Sequence, residues 1–421
     1  MFVLGTLRRA FAWGALLALT SNAAYAATIE VLVQGGNQTL ENVPFCAPLS
    51  LADHDQADLK TIRLTTNDGT EILGQITQPG LRFLAQDKKG VRELHFVIPR
   101  IEKGAKLQLR GELRNADVSG PTFLWEDTPG KHAELRLGDK PVLRYMYEAV
   151  DDSSKERRAE TFKVYHHVYD PTGKRLVTKG PGGLFPHHRG VFYGFNRITY
   201  DGDKRADTWH GNQGESQTHE AFLAVEQGPV LGRHCVKIAW RGQDGKPFAF
   251  EKRELTVYNT SGGRLLEFAS RLESAGGRVK LDGDPQHAGV QFRASQEVPD
   301  KTAKLTYYLR PDGKDEPGRF RNWPQHKDHV NLPWNAMSFV LGEQRYTCVY
   351  LDHPQNPKEA RFSERDYGRF GSYFEAEIDG EKTLDVNYRF WLQEGEMTVE
   401  EANAASAAFV DPPKWALNVR S

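Results

Sequence analysis

The chain has 421 residues, with 55 Lys and Arg against 56 Asp and Glu, so its formal net charge at pH 7 is −1. A nearly neutral chain lacks the basic excess that nucleic-acid-binding surfaces need. The 39 Gly and 22 Pro indicate many turns between short strands, and with only 4 Met they argue against a helical bundle. Composition therefore predicts a β-rich protein with no nucleic-acid partner.

The first 26 residues predict a secretory signal peptide. Arg8 and Arg9 form a basic start, residues 11–20 are mostly apolar, and Ala24-Tyr25-Ala26 is a small-x-small cleavage site. The apolar run is half of the roughly 20 residues that a membrane-spanning helix needs. The two arginines leave twin-arginine export open as an alternative to the Sec route. We expect a periplasmic or secreted protein with no membrane contact after cleavage.

Residues 27–116 are predicted to form a small accessory β-sandwich. Alternating apolar and polar residues mark strands at 28–34, 61–65, 92–98 and 106–113. A polar linker with Gly and Pro follows at 115–121, and it separates this domain from a larger one at 122–421.

The larger domain is predicted to be an antiparallel β-sandwich of two extensive sheets, because its strand candidates exceed the number in one immunoglobulin-like domain. Thr398 and Glu401 form a capping box that begins one helix, which continues to Ala408. The strand candidates are 142–148, 162–169, 191–198, 233–241, 248–258, 264–272, 288–295, 304–309, 345–352 and 385–393.

The three cysteines, Cys46, Cys235 and Cys348, are far apart and contain no CxxC spacing. An odd number allows at most one disulfide. Cys235 and Cys348 lie in strand candidates, where a free cysteine behaves as a small buried hydrophobe.

Histidines concentrate in one part of the chain: six of the 14 lie between residues 166 and 219. The densest string, Gly182-Gly-Leu-Phe-Pro-His-His-Arg-Gly190, is a tight loop with His187, His188 and Arg189 at its exit. Imidazole can transfer protons near neutral pH, and guanidinium can bind a carboxylate or a developing negative charge. We therefore predict catalytic roles for His188 and Arg189, and substrate binding by His187.

Two further segments supply candidate residues close to this loop in sequence. In Asp207-Thr-Trp-His210 a Trp209 ring flanked by short polar groups is typical of a sugar site, where the ring covers a pyranose face. Asp207, Trp209 and His210 are thus predicted to bind substrate, and His219 to transfer a proton.

The remaining candidates lie later in the chain. In the string 284–293, His287 and Arg293 are predicted to project from the same face of one strand, with His287 assisting catalysis and Arg293 binding a negative charge. The other predicted substrate-binding residues are Gln286, His353 and Asn356.

No cofactor is predicted. The sequence contains no HExxH, GxSxG, phosphate-loop or dinucleotide motif. His187 and His188, as strand neighbours, would face opposite sides and could not both bind one ion. A divalent metal at the histidine cluster nevertheless stays an alternative, because the cluster contains enough ligands for one.

Several motifs from residue 143 onward resemble, in order, those of the family named methane oxygenase PmoA. Particulate methane oxygenase is a membrane complex, so we do not carry that chemistry over. The resemblance implies an exported bacterial protein associated with polysaccharide use, with a fold similar to galactose mutarotase. Asn196-Arg-Ile198 is also similar to a run in aldose epimerases, which implies substrate binding by Asn196. The matching strings are Leu143-Arg-Tyr145, Pro186-His-His-Arg-Gly190, Asp207-Thr-Trp-His210, Gln286-His-Ala-Gly-Val-Gln-Phe-Arg293, Asp352-His-Pro-Gln-Asn-Pro357 and Tyr388-Arg-Phe390.

The leading hypothesis is an exported carbohydrate-active enzyme that uses His and Arg acid–base chemistry on a glycan or oligosaccharide. Lyase, epimerase and hydrolase reactions all fit, and hydrolysis fits least because few carboxylates lie near the histidines in sequence. A non-catalytic periplasmic sugar-binding protein and a metal-dependent oxidase are the alternatives.

Overall fold

The computed structural model describes residues 27–51, 58–82, 90–284 and 286–420. The predicted signal peptide lies outside these residues. The described chain is built from antiparallel sheets with two short α-helices, so the predicted all-β fold is confirmed. Within the described ranges, no helix is both long and apolar enough to cross a membrane.

The helices are α1 (Lys155–Thr161) and α2 (Val399–Val410), with a π-helical turn at Val298–Thr302 and a 3-10 turn at Ala303–Leu305. The strands in the first part of the chain are β1 (Thr28–Gln34), β2 (Leu40–Ser50), β3 (Thr61–Thr66), β4 (Glu71–Thr77), β5 (Val91–Ile101), β6 (Lys106–Glu112), β7 (Phe123–Thr128), β8 (His132–Leu137), β9 (Lys140–Met146), β10 (Tyr165–Val168), β11 (Val191–Phe195), β12 (Ile198–Tyr200), β13 (Lys204–Ala206) and β14 (Ser216–Glu226). The later strands are β15 (Leu231–Arg241), β16 (Pro247–Tyr258), β17 (Gly263–Ser274), β18 (Val279–Leu281), β19 (Ala288–Arg293), β20 (Tyr307–Arg310), β21 (Gly313–Lys314), β22 (Trp334–Leu341), β23 (Gln344–Asp352), β24 (Arg361–Arg365), β25 (Arg369–Tyr373), β26 (Ala376–Ile378), β27 (Leu384–Glu394) and β28 (Lys414–Arg420).

The N-terminal region forms a seven-stranded sheet in the order β2-β5-β4-β3-β6-β1-β28 around its own apolar core. Its last strand comes from the C-terminus, because β28 pairs antiparallel with β1 from Thr28↔Arg420 to Gln34↔Lys414. The sequence placed residues 414–420 with the larger domain. Local alternation predicts that a strand exists, but it does not show which distant edge strand it will pair with.

The larger region contains an eight-stranded sheet (β24-β25-β19-β11-β10-β9-β8-β7) and a nine-stranded sheet (β14-β15-β16-β17-β27-β23-β22-β20-β21). Buried side chains from both sheets form one continuous core, as expected for two sheets packed face to face. A four-stranded sheet (β13-β12-β18-β26) adjoins this sandwich.

Alternation along β11 separates the core from the outer face of the eight-stranded sheet. Val191, Tyr193 and Phe195 enter the main core, whereas Phe192 packs with Trp209 in a small separate cluster. The neighbouring strand β19 alternates in the same way, since Val290 enters the main core. The outer face is thus covered by loops, and those loops carry the candidate site.

Helix α2 begins as predicted. Thr398 Oγ1 accepts a hydrogen bond from the Glu401 backbone N–H, and the Glu401 carboxylate accepts from the Thr398 backbone N–H, which completes a capping box. Helix α1 was not predicted, because its seven residues are too few for a clear helical period.

All three cysteines, Cys46, Cys235 and Cys348, are free thiols. Burial raises the pKa of Cys235 to about 12, which keeps this thiol protonated.

Candidate functional site

Three histidines from three separate chain segments converge on the outer face of the eight-stranded sheet. We call His187, His210 and His287 the three-histidine site. The ring centroids of His187 and His210 are 4.5 Å apart, and those of His210 and His287 are 5.0 Å apart. One ring nitrogen from each residue lies within 4.8 Å of the other two. The side chains of His210 and His287 remain 22% and 32% exposed, so solvent reaches the site.

His210 and His287 are held by the same type of turn, in which an Asp lies three residues before the His. In the first turn, Asp207 Oδ1 accepts from the backbone N–H of Trp209 at 3.0 Å, and Asp207 Oδ2 lies 2.8 Å from His210 Nδ1. In the second turn, Asp284 Oδ1 accepts from the backbone N–H of Gln286 at 2.9 Å, and the same oxygen lies 2.9 Å from His287 Nδ1. Each carboxylate thus folds its own turn and orients the imidazole that follows.

Asn196 supports the second turn. Its side-chain N–H donates to Asp284 Oδ2 at 2.6 Å, and its side-chain oxygen accepts from the Asp284 backbone N–H at 3.2 Å. Burial acts to raise the pKa of Asp284, but hydrogen bonds from His287, Gln286 and Asn196 outweigh it, and the pKa is lowered. Asn196 therefore positions the Asp284 carboxylate. Asn196 itself lies between β11 and β12, where the predicted strand 191–198 is interrupted.

His187 reaches the site from the loop before β11. Its Nε2 is buried and has no hydrogen-bond partner among the described residues. Burial, followed by the nearby Lys163 side chain, lowers the pKa of His187 to about 2, so its imidazole is neutral. The adjacent rings of His187 and His188 lie 4.3 Å apart and nearly perpendicular. The expectation that they face opposite sides of a strand is wrong, because the segment is a loop.

His188 lies beneath the three-histidine site rather than in it. The residue is 2% exposed, and both of its ring nitrogens lack partners in the described chain. Its ring stacks on Tyr367 and Phe192 and meets Trp209 edge-on. Burial lowers the pKa of His188 well below its usual value. The side chain is a neutral core group that supports His187.

Glycines let the neighbouring chain segments approach these turns closely. Gly211, directly after His210, has φ +64°, and an added Cβ would lie 2.3 Å from the Phe162 ring. Gly289, two residues after His287, has φ +81°, and a Cβ there would lie 2.0 Å from the Ser372 carbonyl oxygen. Any larger residue would displace the turns that carry the histidines.

The structure gives Arg189 and Arg293 structural contacts instead of the predicted charge-binding roles. Both are fully buried. The Arg189 guanidinium donates to the Glu160 carbonyl oxygen at 2.8 Å, at the C-terminal end of α1. Arg293 donates to the Ala294 carbonyl at 3.0 Å. Burial lowers the pKa of each to about 10. Neither guanidinium is presented to a ligand in solvent.

Trp209 and His219 also differ from expectation. Trp209 is 0% exposed, so its ring cannot stack on a sugar that enters from solvent, because it fills the small cluster with Phe192. His219 lies on β14 beside Tyr145 and Tyr147, with its Nδ1 3.3 Å from the Tyr145 hydroxyl. No ring contact or hydrogen bond in the described chain joins His219 to the three-histidine site.

Of the other predicted binding residues, Gln286 lies beside the three-histidine site, whereas His353 and Asn356 do not. Gln286 is exposed beside His287, but both residues precede β19, so the prediction that His287 projects from one strand with Arg293 is wrong. His353 packs against Phe409 of α2, and burial lowers its pKa to about 4. Asn356 is buried, and its side-chain N–H donates to Asp352 Oδ1 at 2.6 Å. The structure brings neither His353 nor Asn356 to the site.

A second group, Cys46, Glu93 and His95, also has metal-ligand atoms within 4.8 Å of one another. These atoms already satisfy each other: Glu93 Oε2 lies 3.0 Å from His95 Nε2 and accepts from Arg233 at 2.9 Å. The His95 ring also contacts Thr77 Oγ1 at 3.1 Å. This group is a buried ion-pair network between the seven- and nine-stranded sheets, and it offers no free ligand atom comparable to His187 Nε2.

Sequence reasoning missed Asp284, although a signal for it exists. In the whole chain only Asp207 and Asp284 are followed three residues later by a histidine. That repeated Asp-x-x-His string identifies two of the three converging imidazoles. Nothing comparable marks His187, whose position depends on how its loop folds over the sheet.

Residues 132–407 match the model of DUF6807, a family of unknown function, over more than half of the chain. The chain belongs to this family. All residues of the three-histidine site lie within the matched range. No curated protein matches the sequence.

Solved structures give only a weak likeness. A glycosyl hydrolase family 38 protein from Enterococcus faecalis has a TM-score of 0.42 and 9% identity, over 95% of this chain and 48% of that one. An α-mannosidase from Enterococcus faecalis V583 has a TM-score of 0.43 and 9% identity, over 94% of this chain and 46% of that one. The chain thus spans about half the length of each protein. At these values the likeness does not bear on activity.

Proposed function

We propose that this protein is an exported carbohydrate-active enzyme whose reaction centre is the three-histidine site. The observation that supports this most is the convergence of three imidazoles, two of them oriented by carboxylates, at a surface that solvent reaches. Holding a histidine in this way restricts the backbone of its turn, and a surface histidine with a purely structural role does not need that restriction. The carbohydrate part of the proposal rests on the sequence resemblance.

The geometry favours lyase or epimerase chemistry over simple hydrolysis. Glycosidases use a pair of carboxylates that face the glycosidic bond, about 5 to 9.5 Å apart. Here Asp207 and Asp284 are both engaged by the histidine of their own turn, so neither is free to act as nucleophile or general acid. Both carboxylates are 31% exposed, so their hydrogen bonds, and not burial, keep them from these roles.

The test is a substrate screen with site variants. Purified mature chain is incubated with neutral and uronic-acid polysaccharides, and products are followed by reducing ends, ultraviolet absorbance of unsaturated sugars and anomeric NMR. We expect turnover on at least one glycan. His210→Ala and His287→Ala should each lower it by about 100-fold or more, since a positioned imidazole contributes that much to proton transfer or metal binding.

A matched control is His132→Ala, because His132 is a partly exposed histidine on β8 whose side chain contacts only Thr128 among the described hydrogen bonds. It should keep full turnover. Glycan binding without turnover by the unchanged protein would replace the enzyme proposal with a sugar-binding one. Equal turnover in His287→Ala and the unchanged protein would remove the three-histidine site from the reaction.

A further inference from the structure

Each ring of the three-histidine site has a nitrogen with no hydrogen-bond partner among the described residues. Nδ1 of His210 and Nδ1 of His287 are taken by Asp207 and Asp284, which leaves Nε2 on both rings. His187 Nε2 is buried and unpartnered. A buried polar atom without a partner is costly, and a ligand between the rings would remove that cost.

We propose that His187, His210 and His287 bind one divalent transition-metal ion of the zinc type. This deepens the proposed function, because it names what the reaction centre contains, but the binding itself does not depend on that function being right. Imidazole nitrogens are preferred ligands of zinc, copper, nickel and iron ions, and three protein ligands with one open position are typical of catalytic zinc sites.

The residues that hydrogen-bond to the proposed ligands are also of the kind found around bound metal ions. A histidine that binds a metal usually donates its other ring N–H to a carboxylate or carbonyl, which fixes the tautomer and raises ligand basicity. Both Asp-x-x-His turns supply this contact, at 2.8 Å from Asp207 and 2.9 Å from Asp284. Asp284 is itself held by Asn196 at 2.6 Å. The carboxylates also bring two negative charges to offset those of the ion.

The distances are close to those of a bound site. Three nitrogens at 2.0–2.1 Å from a tetrahedral zinc ion are about 3.3 Å apart. The ligand nitrogens here lie within 4.8 Å of one another, so small rotations of the rings bring them to bonding distance.

In this proposal the fourth position of the ion is open to solvent, because the side chains of His210 and His287 are 22% and 32% exposed. It would hold water in the free protein and a sugar oxygen in the complex. A zinc ion in such a position polarises a carbonyl or carboxylate oxygen, or lowers the pKa of a bound water to about 7. Asp207, Asp284 and Asn196 would be positioning residues.

The first experiment measures metal content and does not need a substrate. Mature chain without a polyhistidine tag is purified from metal-supplemented cells and analysed by elemental mass spectrometry, and chelator-treated protein is titrated with Zn²⁺ and Co²⁺. We expect nearly one ion per chain and the visible absorption of tetrahedral Co²⁺. Less than about 0.1 ion per chain, with no Co²⁺ spectrum from folded protein, would overturn the proposal.

Variants separate ligands from positioning residues. His210→Ala and His287→Ala should each weaken Zn²⁺ binding by more than about 100-fold, and Asp284→Asn by about 10- to 100-fold with an altered Co²⁺ spectrum. The matched control is Asp282→Asn, because this part-exposed carboxylate near the site forms ion pairs with Lys280 and Arg197 and with no other described residue. Equal affinity for Asp284→Asn and Asp282→Asn would deny Asp284 its positioning role.

The outcomes also separate this inference from the proposed function. Stoichiometric metal with no turnover on any glycan would retain the metal site and overturn the carbohydrate enzyme. Turnover that is lost in His287→Ala but is present in metal-free protein would do the reverse. Circular dichroism and melting temperature of each variant show whether a loss reflects unfolding.

Discussion

Two groups of clustered histidines in the described part of the chain differ in what surrounds them. In the three-histidine site, carboxylates hold two imidazoles and solvent reaches the rings. In the second group, His166 and His234 are 0% exposed, and their Nε2 atoms lie 2.9 Å apart. We call this group the Tyr145 cluster, because the Tyr145 ring lies within 6 Å of its members His166, His219 and His234.

The comparison shows why histidine density alone locates a site poorly. Burial lowers the pKa of His166 well below its usual value and that of His234 to about 3, so both rings are neutral core groups. They fill space and hydrogen-bond to each other, and no carboxylate among the described residues hydrogen-bonds to either ring. Of the six histidines between residues 166 and 219, only His187 and His210 belong to the three-histidine site.

The largest effect on stability should come from the Tyr145 cluster. His234→Ala removes a ring that contacts Trp125, Tyr145 and His166, and it leaves His166 Nε2 without its partner. We expect a loss of about 3 kcal/mol in the free energy of unfolding, as for other large buried rings. Urea unfolding followed by fluorescence measures it.

The matched control is His132→Ala, which should change stability by less than about 0.5 kcal/mol. The folded fraction of His234→Ala should retain the metal content of the unchanged protein. If His234→Ala lost the metal and kept its stability, the division between the two groups would be reversed.

The next largest effect concerns Arg189, which the sequence assigned to catalysis. Arg189→Ala removes donors to the carbonyls of Glu160 and Ala159 and a cation–π contact with Phe162. Leaving these buried carbonyls unsatisfied should cost about 2 kcal/mol of unfolding free energy. Urea unfolding measures the loss, and zinc titration of the folded protein should show the same affinity as before. A selective loss of turnover or zinc at full stability would restore the catalytic assignment.

The last prediction concerns the pH dependence of stability in the Tyr145 cluster. The pKa of His234 is lowered to about 3 by burial, whereas an unfolded histidine titrates near 6.5. Below pH 6.5 the unfolded chain therefore binds a proton that the folded chain excludes, so stability falls as the pH falls. One such group contributes about 1.4 kcal/mol per pH unit. His234→Gln should flatten the dependence of unfolding free energy by about that amount between about pH 6 and 4. Parallel profiles for the two proteins would contradict this assignment.

Much of the fold could be predicted from local sequence. Alternation located β1 at its observed bounds, and the capping box at Thr398 located the start of α2. The pairing of β28 with β1 was not predicted, since partners nearly 400 residues apart leave no local signal. The split of the predicted strand 191–198 depends on the contact between Asn196 and Asp284, which is equally non-local.

The candidate site was predicted in part. His187, Asp207, His210 and His287 were chosen for their residue types and Asn196 for a resemblance to aldose epimerases, and the structure brings them together. The burial of His188, Arg189, Trp209 and Arg293 was not foreseen, because a polar or amphipathic side chain in a loop has the same local sequence whether it faces water or the core. Burial depends on which segments cover the outer face of the sheet.

The sequence by itself determined a β-rich chain with an export signal pattern, a concentration of histidines and two Asp-x-x-His strings, because these depend on composition and on the order of near neighbours. Only the tertiary structure decided which histidines meet. The loop before β11 places His187 beside two turns that lie about 20 and 100 residues later. Strand pairing between β11 and β19 sets that arrangement, and it arises from long-range packing of the sandwich, which no local pattern records.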